Sequence, residues 1–330
     1  MKQETAKEII ACLPRERTLF HYHKDRYAAW LLGEIARQGV SIAELKRSPY
    51  ARLLSRPLIK QLISAKGDGM LRADDFDYVW QEPSKTFMLT LDTWEGLEPE
   101  YDQTTRSGFN LVLQLNFSNE HNGYFHRMFP EELQDDLRSW GHPTLLPGDR
   151  DFRHETLAWA RIDVDLDTGE ALIEEIQNDW LRYARRWRKC LSHEKNCEYC
   201  YVQRYARSKH HKYRVLRYLE EVLSPYENLW SEAMLAATLW FIYSELGIQR
   251  IYYHEFESGA RLKSIHGRKP PRSLYTQLPR QFCFQPRAEH PEFLLKDRYF
   301  KKQIRKHKNT DTQWQCLDLG ANRVGDRATA

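Results

Sequence analysis

Residues 157–177 place the strongest constraint on how this chain folds. Leu157–Val164 and Ala171–Gln177 are two runs of strand length, rich in apolar and β-branched residues, and Asp167-Thr168-Gly169 lies between them as a tight-turn sequence. Together they predict a β-hairpin. A lone hairpin is marginal in water, so this one demands further strands and a covering layer. Asn110–Phe117 alternates apolar and polar residues as a third strand, and Thr86–Leu91 is also strand-like. Downstream, Trp180 to about Leu223 is helical up to the break at Pro225. A second helix over Leu229–Leu246, apolar around much of its circumference, stops at Gly247. Ile248–His254 reads as a buried strand, Ser258–His266 as a short helix and Gln281–Phe284 as a last strand. An antiparallel meander followed by one α/β crossover is a mixed sheet with helices on its faces, so the expected class is α/β (α+β).

Residues 4–65 carry helical patterning, with apolar residues from Ala28 to Ala36 before Gly39, and Ser41 placed to cap the next helix. The expected organisation is a helical N-terminal lobe over 1–80 and an α/β domain over 81–300. The α/β domain carries a helical insertion at about 181–225, and a basic polar tail follows over 301–330. The run RPLIKQLISAK (56–66) also fits the third helix of a helix-turn-helix, although no set of base-reading side chains accompanies it. The segment 118–152, polar and bearing Pro and Gly, reads as a loop excursion.

Charge is unevenly spread. The whole chain has 50 Lys+Arg against 46 Asp+Glu, a net +4. Residues 72–102 hold nine acids against Arg72 and Lys85, a net −7, and read as an acidic surface near the domain boundary. Residues 181–218 hold twelve Lys/Arg against two Glu, a net +10, with six tyrosines and Trp187 interleaved. Alternating cations and aromatic faces suit phosphate backbones and unstacked bases. Arg182, Arg185, Arg186, Arg188, Lys189, Arg204 and Arg207 are therefore candidate nucleic-acid contacts, with an acidic protein as the other partner such a surface fits. The basic run 296–308 is expected to extend the same patch.

A hydrophobic content of 41% excludes a broadly disordered chain. The longest nearly apolar run, Ala233–Tyr243, falls short of the roughly 20 residues that span a bilayer. Six irregularly spaced cysteines make a poor disulfide framework. These features predict a cytoplasmic protein with reduced thiols and no membrane contact. Cys190, His193, Cys197 and Cys200 form C-x2-H-x3-C-x2-C, which has the ligand types for zinc. A straight helix spreads these four over about 15 Å, so a zinc site requires a break near Asn196. Otherwise the thiols pack as small apolar groups.

The run LAWARIDVDLDTGEALIEEIQNDW (Leu157–Trp180) resembles the "EEIQSDW" segment of domains in phage-encoded and large polyvalent proteins, with Asn178 where that pattern has Ser. GIQRIYYHE (Gly247–Glu255) and SLYTQLP (Ser273–Pro279) follow in the same order, and no settled activity attaches to that family. The order of elements is also similar to the GNAT superfamily of acyltransferases. That likeness implies a transferase acting on an amine with acyl-coenzyme A as cofactor. Glu174 or Glu175 would be the base, Tyr275 the acid, and Gln177, Arg182, Arg185 and Arg186 the cofactor contacts. The family's Gly-rich phosphate loop is missing, because NDWLRYARRWRK follows Gln177 with no glycine.

Two further readings stay open. Strand parity places Glu175, Gln177 and Asp179 on one face and Glu174 on the other, with Asp163 near Glu175 across the hairpin. Asp163, Glu175 and Gln177 then form a variant of the Mg²⁺ site of PD-(D/E)XK nucleases, with Gln in the usual Lys position. The third reading is a non-enzymatic nucleic-acid- or protein-binding module of phage–host origin.

Overall fold

The computed structural model describes residues 1–12, 18–138, 154–192, 201–267, 269–307 and 312–320. Eight strands make one sheet: β1 (Thr18–His23), β2 (Ser84–Gly96), β3 (Gly108–Asn116), β4 (Thr156–Asp165), β5 (Glu170–Gln177), β6 (Arg250–His254), β7 (Gln285–Arg287) and β8 (Trp314–Asp318). Their order is β1-β2-β3-β4-β5-β6-β8-β7. Every neighbouring pair is antiparallel except β5 and β6, which are parallel. The mixed sheet expected from the hairpin and the crossover is what forms. At the hairpin turn Gly169 adopts φ 63°, a left-handed conformation that costs glycine nothing, and Asp165 Oδ1 accepts from the Thr168 amide at 3.1 Å.

Helices named below are α1 (Gln3–Cys12), α2 (Arg26–Ile35), α3 (Asn119–Met128), α4 (Asp179–Ser192), α5 (Lys209–Arg217), α6 (Trp230–Trp240), α7 (Phe256–Leu262), α8 (Ser273–Gln281) and α9 (Arg298–Lys306). Register divides the sheet into two faces. Leu111, Leu113 and Leu115 of β3, Ala158, Ala160 and Ile162 of β4, and Ile173, Ile251 and Tyr253 point into the main core. That core is filled by α6, buried from Glu232 to Leu239, and by Trp180, Leu181, Ala184 and Trp187 of α4. On the opposite face, Leu172, Tyr252, Trp314 and Cys316 join Leu262, Phe293, Leu294 and Phe300 in a second, smaller core. Further along that face the side chains are polar. Thr90 donates to Gln114 at 2.7 Å, Asn116 donates to Thr90 at 2.8 Å, and Thr156 donates to Asn116 at 2.8 Å.

Several elements depart from expectation. The N-terminal segment forms the expected helices, and Ser41 caps its helix with Glu44 in a reciprocal box. It also supplies β1, whose Thr18–His23 pairs with Leu89–Ser84 as an edge strand of the sheet. Residues 314–318, expected within a polar tail, form β8 and insert between β6 and β7. The last expected strand lies slightly later, over β7. The 118–152 excursion begins with α3 and a helix over Glu131–Leu137, and its remainder from 139 lies outside the described residues. Among the described residues the insertion carries α4, Tyr201–Tyr205 and α5, and a turn over 206–208, where Ser208 caps α5, interrupts the expected helical stretch. α9 packs into the smaller core through Phe300, so its basic residues lie on the face opposite α4 and do not extend its patch.

Candidate functional site

Two places collect chemistry-bearing residues: a buried fork where β5 and β6 part, and the outward surface of the helices between them. The parallel pairing runs from Glu170/Arg250 to Ile173/Tyr253 and ends there. On the other side of β5 the register shifts, with Arg161 opposite Glu175 and Ile162 opposite Ile173, leaving Glu174 as an extra residue. Such a bulge bends the strand and breaks its alternation. Glu175 and Leu172 therefore share a face, and the neighbour of Glu175 is Arg161; Asp163 sits opposite Leu172. The strict alternation expected from sequence fails at this residue.

The fork is filled by side chains. Glu174 accepts from the Thr105 amide at 2.9 Å and from the Thr105 hydroxyl at 2.8 Å, and His254 Nε2 lies 3.0 Å from its Oε2. Lys263 donates to the backbone carbonyl of Glu174 at 2.8 Å, standing in for the lost strand pairing, and lies 3.4 Å from Glu175. Arg161 pairs with Glu175 at 3.4 Å, and Gln177 Nε2 donates to Glu175 at 3.2 Å. Thr105, Arg161, Glu174 and His254 are each 0% exposed. Burial alone would raise the Glu174 carboxyl, but the His254 hydrogen bond and the Lys263 and Arg161 charges hold it below the usual carboxylate range. The same two cations outweigh burial at Glu175, while burial lowers Lys263 and keeps His254 neutral. With Glu174 accepting only, His254 carries its proton on Nε2, and the partnerless Nδ1 is the unprotonated nitrogen.

A strap over residues 102–106 closes the fork from the polar side. Arg161 donates to the carbonyls of Asp102 at 2.8 Å and Gln103 at 2.5 Å. Arg106 holds Asp163 in a two-point bond at 2.6 and 2.9 Å and stacks on Phe293 at 4.3 Å. The nuclease constellation is thus not assembled. Asp163 is committed to Arg106, Glu175 to Arg161 and Lys263, and Gln177 to Glu175. Among the described residues no group of three or more His, Cys, Asp or Glu is arranged to hold a metal ion.

The residues also do not fit an acyl-coenzyme A. A pyrophosphate in this fold would need the free amides at the start of α4. There Asn178 Oδ1 accepts from the Leu181 amide at 2.8 Å, and Asp179, the first residue of the helix, adds a buried carboxylate bound by Trp159 Nε1 at 3.1 Å and paired with Arg182. Tyr275 is buried against Tyr253 and Phe256, and its hydroxyl has no hydrogen-bond partner among the described residues. Gln177 turns back to Glu175, and Arg185 and Arg186 face solvent.

The second place is that solvent face. Arg182, Arg185, Arg186 and Lys189 are exposed at i, i+3, i+4 and i+7, one stripe of α4, while Trp180, Ala184 and Trp187 form the buried stripe. Arg188 lies between the two and is used internally, paired with Glu227 and donating to the Leu219 carbonyl at 2.5 Å. The Tyr201–Tyr205 helix packs on α4 and continues into α5, exposing Arg204, Arg207, Lys209 and Lys212. Tyr201 and Tyr213 are exposed as well, and the Arg204 guanidinium lies 4.4 Å from the Tyr201 ring. Among the described residues, only Arg182 of the exposed cations on α4 has a carboxylate partner. Of the expected zinc ligands, Cys190 is half-buried at the end of α4, and His193, Cys197 and Cys200 lie outside the described residues.

Sequence reasoning missed Arg161, Lys263, His254 and Thr105. Arg161 did leave a signal: a cation in the middle of a strand that otherwise reads as core has to meet a buried acid. No family model, curated protein or solved structure matches the chain. No described helix is long and apolar enough to cross a membrane.

Proposed function

We propose that this chain binds single-stranded nucleic acid through the outward face of α4, the Tyr201–Tyr205 helix and α5, with the sheet as scaffold. The observation that carries this is the stripe Arg182, Arg185, Arg186 and Lys189, continued by Arg204, Arg207, Lys209 and Lys212, of which only Arg182 is paired with a carboxylate among the described residues. Uncompensated cations at this density repel one another and add nothing to the core. A phosphate backbone relieves that repulsion and releases its counterions. The exposed rings of Tyr201 and Tyr213 provide flat surfaces for unstacked bases, the second requirement of single-strand binding.

Fluorescence anisotropy with a labelled oligonucleotide between 50 and 200 mM salt tests this. Seven neutralised phosphates correspond to a slope of log K against log salt of about −5 for a single strand. With the exposed cations of α9 first neutralised (Lys301→Gln/Lys302→Gln/Arg305→Gln), adding Arg185→Glu/Arg186→Glu should weaken binding at least tenfold and flatten the slope. Salt-independent binding, or an unchanged affinity in that variant, overturns the proposal.

A further inference from the structure

We infer that α9 is a second phosphate-binding surface on the opposite face of the sheet, so that one chain bridges two nucleic-acid segments. This rests on the function proposed above. Arg298, Lys301, Lys302 and Arg305 repeat the i, i+3, i+4, i+7 stripe of α4, Lys306 adjoins it, and all five are exposed. None makes an ion pair among the described residues. The one acid at this helix, Asp297, is spent on the cap, where its Oδ1 accepts from the Phe300 amide at 2.8 Å. The local field is positive: after burial, the charges of Lys306 and Arg261 are what hold His307 below its ordinary value.

Position makes this a separate site. Phe300 of α9 packs with Leu172, Tyr252 and Trp314, whereas Trp180 and Trp187 of α4 pack with the residues on the other side of the same strands. Packed layers stand about 10 Å apart, so the two helix axes are separated by roughly 20 Å through the sheet. That exceeds twice the Debye length of about 8 Å at physiological ionic strength. A strand lying on one face therefore neither feels nor neutralises the charges of the other.

A capture assay tests bridging. An oligonucleotide is fixed to beads, the protein is added, and a second, non-complementary fluorescent oligonucleotide is offered; sedimentation establishes that the protein is monomeric at the concentration used. Wild type should retain the second strand, and titration should approach two strands per chain. Lys301→Glu/Lys302→Glu/Arg305→Glu should lose the second strand at least tenfold while still binding the first within about twofold. The milder Lys301→Gln/Lys302→Gln should show the same loss in smaller degree with an unchanged melting curve. Binding of one strand without capture of a second overturns the bridging inference alone, as does capture that survives the α9 charge reversal. Failure of wild type to bind any strand removes the proposed function and this inference with it.

Discussion

Replacing Lys263 with Met tests whether the fork is a sealed ion-pair network. The side chain is 1% exposed and its ammonium donates to the Glu174 carbonyl besides being a partner of Glu175. Methionine keeps most of the volume, so cavity effects stay small. What changes is charge. Glu174 and Glu175 are balanced by Arg161 and Lys263 around a neutral His254, and the substitution leaves one uncompensated carboxylate in a dry site. Removing one partner of a buried pair costs roughly 3–5 kcal/mol. Against a total stability of about 5–15 kcal/mol this is a large fraction. At about 2–4 °C per kcal/mol, the midpoint should fall by roughly 6–20 °C.

Lys263→Met/Glu175→Gln restores neutrality, so the double variant should be more stable than Lys263→Met alone, with a coupling of about 1–3 kcal/mol. The pH dependence has a fixed sign. Without Lys263 a fork carboxyl is raised above its unfolded value; the folded state then favours its protonated form, and the deficit should shrink as pH falls from 7 to 4. Urea unfolding followed by circular dichroism at both pH values reads all three quantities. A cost below about 1 kcal/mol, or a double variant no better than the single, would falsify the closed network, because a hydrated fork screens the imbalance.

Two further outcomes follow from buried groups elsewhere. His121 stacks on Phe117 at 3.7 Å and is held neutral by burial, with its pKa lowered to about 4. The unfolded chain takes up that proton below about 6.5, so stability should drop by about 3 kcal/mol between pH 6.5 and 4, and His121→Phe should flatten this part of the pH profile. Gly259 of α7 faces His254, and a Cβ there would lie 2.7 Å from the His254 Cβ. Gly259→Ala should therefore destabilise by about 1–3 kcal/mol despite its better helix propensity, and a melting point raised by that substitution would contradict the packing.

The hairpin was legible because its signal is local. Two apolar runs and a turn rich in Asp and Gly specify a strand pair without reference to anything distant, and the α/β class followed from the helix and strand after it. β1 and β8 were not read because their evidence is tertiary. Thr18–His23 is short and half polar, as an edge strand can be, and only its pairing with β2 identifies it. Trp314–Asp318 carries alternate buried residues, Trp314 and Cys316, but a basic run precedes it and masked the pattern. The fork failed for a sharper reason. Strand parity was applied through Glu174, and a one-residue bulge reverses parity for everything after it: the register of Asp163 with Leu172, continued unbroken, would set Glu175 opposite Ala160 on the core face, whereas the bulge sets it opposite Arg161. The solvent stripe of α4, by contrast, was readable except for Arg188, which turns inward to Glu227 and the Leu219 carbonyl, since helical spacing and charge need no partner to be seen.

The topology explains why the basic surfaces are two and why they oppose each other. A parallel pair such as β5 and β6 can be joined only by a crossover that leaves the sheet and returns over one face. The described residues inserted into that crossover, between 178 and 249, are carried on the same side, and among them the buried Trp180, Trp187, Val202 and Val215 all enter the main core. Lengthening the crossover therefore adds outward helix surface without disturbing the strands, which is where the +10 segment sits. α9 belongs to a different connection, between β7 and β8, whose neighbours Phe293 and Leu294 cover the other face. A single long basic patch would require the two connections to share a face, and the inward direction of Leu172, Tyr252 and Trp314 on one side and Ile173, Ile251 and Tyr253 on the other forbids it. Arg185→Glu/Arg186→Glu/Lys189→Glu in α4 should thus abolish binding at that face while leaving α9 able to hold one strand, an outcome measurable as a change from two strands per chain to one.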